Sequence, residues 1–149
     1  MKMIAFISCV KSKKDTKDKA KYLYISDFFK KSLAYAELYY DEVYILSAKY
    51  GLVNLNDVIE PYEKTLKNMS YNERLVWAMR VARGIMNRIV NRTDNKEVRF
   101  VFVCGQVYQK ELVPILKTKG FKCYTPLKNV GGIGKQLSFF KRKVEEFFK

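Results

Sequence analysis

Val-Tyr-Ile-Leu-Ser-Ala-Lys-Tyr-Gly-Leu-Val, residues 43–53, is the segment that decides the fold of this chain. Its first four residues form an apolar run typical of a buried strand, and the run ends at a turn of small and polar residues. Gly51 supplies a backbone geometry that other residues resist in such a turn. Ligands of α/β proteins bind outside the carboxyl ends of the strands. We therefore expect Ser47, Lys49 and Tyr50 at a binding site.

Three further apolar runs indicate strands that join this one in a sheet. They cover residues 3–9, 98–104 and 121–124, and the first is apolar almost throughout, as in a parallel sheet covered on both faces. Patterns typical of helices lie at residues 21–40, 70–91 and 109–118 and after Gly132, with Ser26 or Asp27 as an N-cap. The sequence therefore predicts one domain over residues 1–149, a three-layer α/β fold in which helices flank a mainly parallel, four-stranded sheet.

Two segments between these elements indicate loops. Residues 11–19 hold five lysines and almost no apolar side chain, and residues 52–69 have no clear period and contain Pro61. Lys11 and Lys13 follow the first predicted strand most closely, so we expect them to contact phosphates as point charges. The later lysines of this segment are equally consistent with a solvated connection.

Charge is distributed unevenly along the 149 residues, whose net charge is +14. Residues 32–69 hold three lysines and six acidic residues, whereas the segments 1–31, 70–109 and 110–149 are all basic. A basic shell around an acidic centre favours a polyanionic partner such as nucleic acid. The alternative is that a lysine-rich genome produces basic proteins that bind no particular partner, because net charge determines association and not fold.

The residue types that the chain lacks exclude several functions. It contains no histidine, which removes the commonest metal ligand and the usual general base, so we predict no metal site and no cofactor. The three cysteines are not closely spaced, which favours reduced thiols and a cytoplasmic location. The apolar run at the start is too short to span a membrane and lacks a secretory cleavage pattern. No signal indicates an oligomeric state.

The predicted helix over residues 70–91 begins with a capping box, Ser70 to Glu73. One arc contains its apolar residues, which are Leu75, Ala78, Met79, Ala82, Ile85, Met86, Ile89 and Val90. The other half contains a candidate nucleic-acid surface, namely Arg74, Trp77, Arg80, Arg83, Arg88 and Arg92. Two interpretations of Trp77 remain open: it stacks on a base between arginines, or it packs with Val81 under another loop.

A glycine-rich turn, Gly131-Gly132-Ile133-Gly134, precedes the last predicted helix. Free backbone N–H groups in the first turn of a helix can hold an anion. The spacing matches neither the P-loop nor the dinucleotide-binding pattern, so the turn does not identify a particular nucleotide.

Several of these motifs together resemble a compact bacterial and phage family of uncharacterised domains related to the peroxide-stress protein YaaA. The matching marks are Ser8-Cys-x-Lys-x-Lys13, Leu23-Tyr-x-Ser-x-x-Phe29, Leu46-Ser-Ala-Lys-Tyr-Gly-Leu52, Ile59-x-Pro-Tyr-x-x-Thr-Leu66, Gly105-x-x-Tyr108 and the Pro-Leu and Gly-Gly elements near the end. They span nearly the whole chain. The resemblance implies nucleic-acid binding and a role in stress or DNA protection. A more distant similarity implies enzymes that exchange or release modified nucleobases.

The leading hypothesis is a protein that binds a nucleotide or nucleic acid and acts on the N-glycosidic bond of a nucleobase. Such chemistry needs a carboxylate and a donor to the leaving base. The candidate catalytic residues are Asp57, which the resemblance matches to an aspartate of YaaA, Lys49, and Cys9 as a nucleophile among lysines. The candidate ligand-binding residues are Ser8, Lys11, Lys13, Ser47, Tyr50, Gly51, Tyr62, Thr65, Gly105, Tyr108, Gly131, Gly132 and Gly134.

Each catalytic candidate has a structural alternative. Asp57, Glu60 and Glu63 are the acids closest to the central segment, and for each of them a cap or an ion pair is the favoured structural alternative. Cys9 suits a small buried side chain, since no histidine is present to act as its base. The alternative function is a non-catalytic DNA- or RNA-binding protein of stress or defence.

Overall fold

The computed structural model describes residues 1–8, 13–92 and 97–149. The strands in this part of the chain are β1 (Lys2–Ser8), β2 (Asp18–Lys19), β3 (Glu42–Ser47), β4 (Gly51–Asn54), β5 (Val58–Ile59), β6 (Val98–Val103) and β7 (Lys122–Tyr124). The helices are α1 (Ala20–Leu23), α2 (Asp27–Tyr39), α3 (Tyr71–Arg88), α4 (Gln106–Gln109), α5 (Leu112–Thr118) and α6 (Ile133–Phe147). Short 3-10 helices cover Leu66–Asn68 and Val90–Arg92.

The main sheet has the strand order β4-β3-β1-β6-β7. Four of these strands run parallel, and β4 pairs with β3 in the antiparallel direction. The predicted α/β fold with a mainly parallel, helix-flanked sheet is confirmed, but the sheet has five strands instead of four. The segment predicted as a loop after Gly51 contains β4 and also β5, which pairs with β2 in a small second sheet.

Helices cover both faces of the sheet because side chains alternate along each strand. One core joins Ile4, Phe6, Leu46, Phe100 and Phe102 of the sheet to residues of α3 and α5. The other joins Ala5, Ile7, Ile45, Val101 and Val103 to residues of α2 and α6. The three predicted layers are therefore present, and none of the helices described is both long enough and apolar enough to cross a membrane.

Capping residues set the starts of the two long helices at the positions that the sequence predicts. The Ser26 hydroxyl accepts a hydrogen bond from the Phe29 N–H, which makes Ser26 the N-cap of α2. Ser70 and Glu73 form a reciprocal capping box at α3. The helix predicted over residues 21–40 is divided by an extended break before Ser26. The helix predicted over residues 109–118 likewise follows a separate short helix, α4.

The apolar face of α3 differs from the predicted arc. Trp77 and Val81 are buried with Ala78, Ala82 and Ile85, whereas Met79 is 53% exposed. The predicted arc included Met79 and left out Trp77 and Val81, so its centre lay to one side of the buried face. The indole of Trp77 crosses to the sheet because its N–H finds a backbone acceptor there, as described below.

Polar side chains link the amino-terminal ends of β1 and β3. The Lys2 ammonium and the Tyr44 hydroxyl both donate hydrogen bonds to the Glu42 carboxylate. Burial raises the pKa of Glu42, but these two hydrogen bonds outweigh it, so the net shift of the pKa is downward. Burial and the same carboxylate raise the pKa of Tyr44 to about 12.

Candidate ligand-binding site

The carboxyl ends of the parallel strands bring together several predicted site residues. Ser8 ends β1 and Ser47 ends β3, and both are buried. The connection from β1 leads through α2 on one face of the sheet, and the connection from β6 leads through α5 on the other face. Since β1 and β6 are neighbours, a crevice is expected where these connections diverge.

A chain of hydroxyl groups lies at the end of β3. Ser47 Oγ donates to the Tyr62 hydroxyl at 2.9 Å and accepts the Tyr50 N–H at 2.9 Å. The hydroxyls of Tyr62 and Tyr24 are 2.7 Å apart. Tyr24, which is 1% exposed, was not predicted as a site residue, although it lies within the matching segment Leu23–Phe29. The structure thus joins the predicted Ser47, Tyr50 and Tyr62 and adds Tyr24.

Two lysine ammonium groups lie over the rings of this cluster. Lys13 Nζ is 4.5 Å from the centre of the Tyr62 ring and 5.9 Å from that of Tyr24. Lys49 Nζ is 5.2 Å from the centre of the Tyr50 ring. The rings of Tyr50 and Tyr62 meet edge to face at 5.6 Å. We call these five residues, Lys13, Tyr24, Lys49, Tyr50 and Tyr62, the lysine–tyrosine cluster.

Arg80 of α3 fixes the turn that presents Lys49 and Tyr50. Its guanidinium donates to the Lys49 carbonyl at 2.9 Å. Gly51 has a φ of 74°, and a Cβ on this glycine would lie 3.1 Å from Nη2 of Arg80. A side chain at position 51 would thus strain the backbone and press on the guanidinium. The predicted need for glycine in this turn is confirmed.

Trp77 lies beneath the site and not on an exposed surface. It is 6% exposed, and its Nε1 donates to the Ser47 carbonyl at 2.8 Å. Its ring centre is 6.0 Å from that of Tyr108, another predicted site residue. The prediction that Trp77 forms part of a nucleic-acid surface is therefore wrong, because a buried indole cannot stack on a base. The alternative, packing together with Val81, is correct.

Arginines of α3 donate hydrogen bonds to backbone carbonyls. Arg74 donates to the Met69 carbonyl at 2.7 Å, and Arg88 donates to the Leu52 carbonyl at 2.8 Å. Arg83 is exposed. Because a carbonyl carries no net charge, these hydrogen bonds leave the guanidinium charges in place. Arg74 and Arg88 also lie near the carboxylates of Glu111 and Asp57, so these two side chains of the predicted surface are held in place and their charges are partly compensated.

Glu111 is a buried acid that the sequence interpretation missed. It is 8% exposed and lies at the start of α5, with Oε1 3.5 Å from Nε of Arg74. No group in the part of the chain that the structure describes donates a hydrogen bond to this oxygen. Its burial could not be inferred from the sequence, since Lys110 and Glu111 look like an exposed pair.

Asp57 lies away from the lysine–tyrosine cluster. Its carboxylate accepts the Asn54 N–H at 2.9 Å and is 3.9 Å from the Arg88 guanidinium. Asn54 pairs with Tyr44, three residues before Ser47 on β3, which is about 10 Å along the strand. The antiparallel strand β4 returns the chain toward the amino end of the sheet and carries Asp57 with it. The carboxylate therefore holds a turn, as the structural alternative predicts.

The remaining predicted residues are spread around the same edge. Thr65 caps a 3-10 helix by accepting the Lys67 N–H, and Gly105 is the N-cap of α4. Gly132 is the N-cap of α6, Gly134 lies in its first turn, and Gly131 has a φ of 115°. Cys9 and Lys11 lie outside the described residues.

The two described cysteines are thiols and not reactive thiolates. Burial raises the pKa of Cys104 strongly, and it raises the pKa of Cys123 to about 11 against a small opposing effect of Lys117. A thiol with a raised pKa is a poor nucleophile and a poor metal ligand at neutral pH. Within residues 1–8, 13–92 and 97–149, no three His, Cys, Asp or Glu side chains lie close enough to hold a metal ion.

Fold and site together define a three-layer α/β domain with hydroxyl, aromatic and ammonium groups at the carboxyl edge of parallel strands. Its family is known by sequence. The chain belongs to a family of unknown function, DUF6884, whose model matches residues 4–142. That match covers both cores and the whole lysine–tyrosine cluster. The comparison with curated proteins gives no match.

Proposed function

We propose that this protein binds a nucleotide or a nucleic acid at the carboxyl edge of its sheet. The observation that carries the proposal is the lysine–tyrosine cluster at the end of β3. The half-buried rings of Tyr50 and Tyr62 offer stacking surfaces, the hydroxyls of the cluster offer donors and acceptors to a base, and the ammonium groups offer charge to a phosphate. The connections that diverge from β1 and β6 support a ligand at this edge.

The charge of the whole chain supports the same class of ligand. A net charge of +14 attracts polyanions over distances of about 10 Å at moderate salt. Arg80 of α3 adds to this field, because its carbonyl partner is neutral, whereas Arg74 and Arg88 also lie near the carboxylates of Glu111 and Asp57. A cytoplasmic protein would meet both free nucleotides and nucleic acids.

A binding experiment with matched tyrosine variants tests the proposal. Nucleosides, nucleotides and short single-stranded DNA and RNA are titrated against the protein at low salt. We expect Tyr50→Ala to weaken binding about tenfold, because an aromatic contact to a base contributes about 1–3 kcal/mol. Tyr71→Ala is the control, since Tyr71 is 58% exposed on α3. Equal binding by both variants, or no binding of any probe, would contradict the proposal.

Cleavage of an N-glycosidic bond is a second candidate function, and its carboxylate would differ from the predicted Asp57. Glu60 and Glu63 flank Tyr62 in sequence, and the Glu60 carbonyl lies 3.4 Å from the Tyr50 hydroxyl. A carboxylate there could stabilise an oxocarbenium-like transition state. Chromatography of bases released from nucleosides, DNA and RNA tests this step. If the Glu60→Gln and Glu63→Gln variants both release bases at the rate of the natural chain, a catalytic role for these carboxylates is contradicted.

Binding without release of a base would support the non-catalytic alternative. The protein would then be a DNA- or RNA-binding factor of stress or defence, as the resemblance to YaaA-related domains implies. That resemblance stays a prediction. Loss of binding at high salt would accompany either function, because phosphate contacts dominate both.

A further inference from the structure

Among the described lysines, Lys13 and Lys49 are those whose ammonium groups lie over rings of the lysine–tyrosine cluster, whereas Lys21 lies over the ring of Tyr22. Each ammonium lies over a tyrosine ring, and within the described part of the chain neither of them meets a carboxylate or donates a hydrogen bond. Lys13 is also half-buried. A cation on an aromatic face gains only about 0.5–2 kcal/mol, which leaves its N–H donors available to an anion.

Two other lysines have a carboxylate as their partner. Lys2 pairs with Glu42, and Lys14, next to Lys13 in the chain, pairs with Asp18 at 2.7 Å. Glu60 accepts a hydrogen bond from the Tyr50 hydroxyl through its backbone carbonyl, and no ion pair joins Glu60 to Lys49 in the described residues. Among the residues that the structure describes, neither Lys13 nor Lys49 therefore has a carboxylate within ion-pair distance.

The two ammonium groups lie over neighbouring rings of the cluster. Lys13 lies on the Tyr62 ring and Lys49 on the Tyr50 ring, and these two rings are in contact. Ser47 Oγ donates to the Tyr62 hydroxyl and accepts the Tyr50 N–H, and Arg80 donates to the Lys49 carbonyl. These bonds fix the Tyr62 hydroxyl and the backbone of the turn from which the Lys49 side chain extends, so less of the site has to be ordered when an anion binds.

We propose that Lys13 and Lys49 form a phosphate subsite, so that the ligand of this edge is phosphorylated and is not a free base or a nucleoside. The inference rests on the proposed function and narrows it. A phosphate accepts hydrogen bonds from ammonium groups as point charges, and the tyrosine faces between them accommodate the attached base or sugar. The same phosphate chemistry could come from a free nucleotide or from a nucleic-acid strand.

Calorimetric titration of four nucleosides and their 5′-monophosphates tests the subsite, with a short single strand as a third probe. We expect each monophosphate to bind at least about tenfold more tightly than its nucleoside. Lys13→Gln and Lys49→Gln should each weaken monophosphate binding by a larger factor than nucleoside binding, and so remove most of that difference. The control, Lys14→Gln, removes the same charge from the same loop but from a paired lysine, and it should change binding less than twofold.

The outcomes separate the subsite from the wider function. If nucleosides and monophosphates bind equally tightly, or if both lysine variants leave the difference intact, the subsite is refuted while nucleotide binding stands. If no nucleoside, nucleotide or strand binds, both proposals fail. Tighter binding of the strand than of the monophosphates, lost in the same variants, identifies nucleic acid as the source of the phosphate. The thermal unfolding temperature of each variant is measured as well. If it is unchanged, a loss of affinity cannot be attributed to a loss of folded protein.

Discussion

Replacing Trp77 with phenylalanine tests the link between the core and the end of β3. The indole is 6% exposed, packs in the core between the sheet and α3, and donates through Nε1 to the Ser47 carbonyl at 2.8 Å. Phenylalanine keeps an aromatic ring but has no N–H and a smaller volume. The substitution therefore removes one buried hydrogen bond and leaves a small cavity, without a change of charge.

The expected loss of stability follows from these two effects. A buried carbonyl that loses its donor costs about 1–3 kcal/mol. The cavity adds to this cost, although less than the 3–5 kcal/mol typical when an aromatic residue is reduced to alanine. We expect Trp77→Phe to lower the free energy of unfolding by about 2–4 kcal/mol, a large share of the 5–15 kcal/mol typical of a domain.

Urea denaturation followed by circular dichroism measures this loss. Val76→Ala is the matched control, because Val76 is the neighbouring residue on α3 and is 67% exposed. Exposed substitutions usually change stability by less than about 0.5 kcal/mol. A loss this small for Trp77→Phe would refute the buried placement. If Trp77→Phe weakens ligand binding but leaves stability unchanged, the result would instead support the prediction that Trp77 contacts the ligand at an exposed surface.

Three further predictions concern the turn, a helix cap and the amino end of the sheet. Gly51→Ala should destabilise the fold by about 1–2 kcal/mol in urea titrations, because φ is 74° there and the new Cβ presses on Arg80; an unchanged midpoint would contradict this. Ser70→Ala removes the capping box of α3 and should cost about 1 kcal/mol by the same assay, whereas Ser70→Asp should retain most of the stability. The folded-state pKa of Glu42 is lowered, so its stabilisation is complete above the unfolded value of about 4.5 and is lost as pH falls through the folded value. Glu42→Gln should accordingly be less stable than the natural chain at pH 7 and closer to it at pH 3, and a constant difference across that range would argue against the shift.

The sequence predicts those features that depend on neighbouring residues. Ser70 and Glu73 specify the start of α3 through a local hydrogen-bond pattern, and the apolar runs specify the parallel strands. Ser47, Tyr50 and Gly51 could be assigned to a site because they directly follow a strand. A turn at the carboxyl end of a parallel strand stays at that edge whatever the rest of the chain does.

Features that depend on tertiary contacts could not be predicted in this way. Strand β4 has only four residues, too few for a period, and its antiparallel direction carries Asp57 toward the opposite end of the sheet. The side chain of Trp77 is oriented by its hydrogen bond to the Ser47 carbonyl, which lies 30 residues earlier in the chain. A helical wheel contains only the residues of the helix and cannot show such a partner. Tyr24 reaches the site because Tyr62 approaches it from a distant segment.

The hydrogen bond from Arg88 to Leu52 also affects how copies of this chain meet. Strand β4 is an edge of the main sheet, and an edge carbonyl is an open acceptor for a strand of another molecule. Arg88 occupies the Leu52 carbonyl and also donates to the Asn54 side chain. A cation bound along a strand edge repels a second basic chain and blocks its backbone N–H groups. Arg88 thereby protects the folded protein against edge-to-edge aggregation.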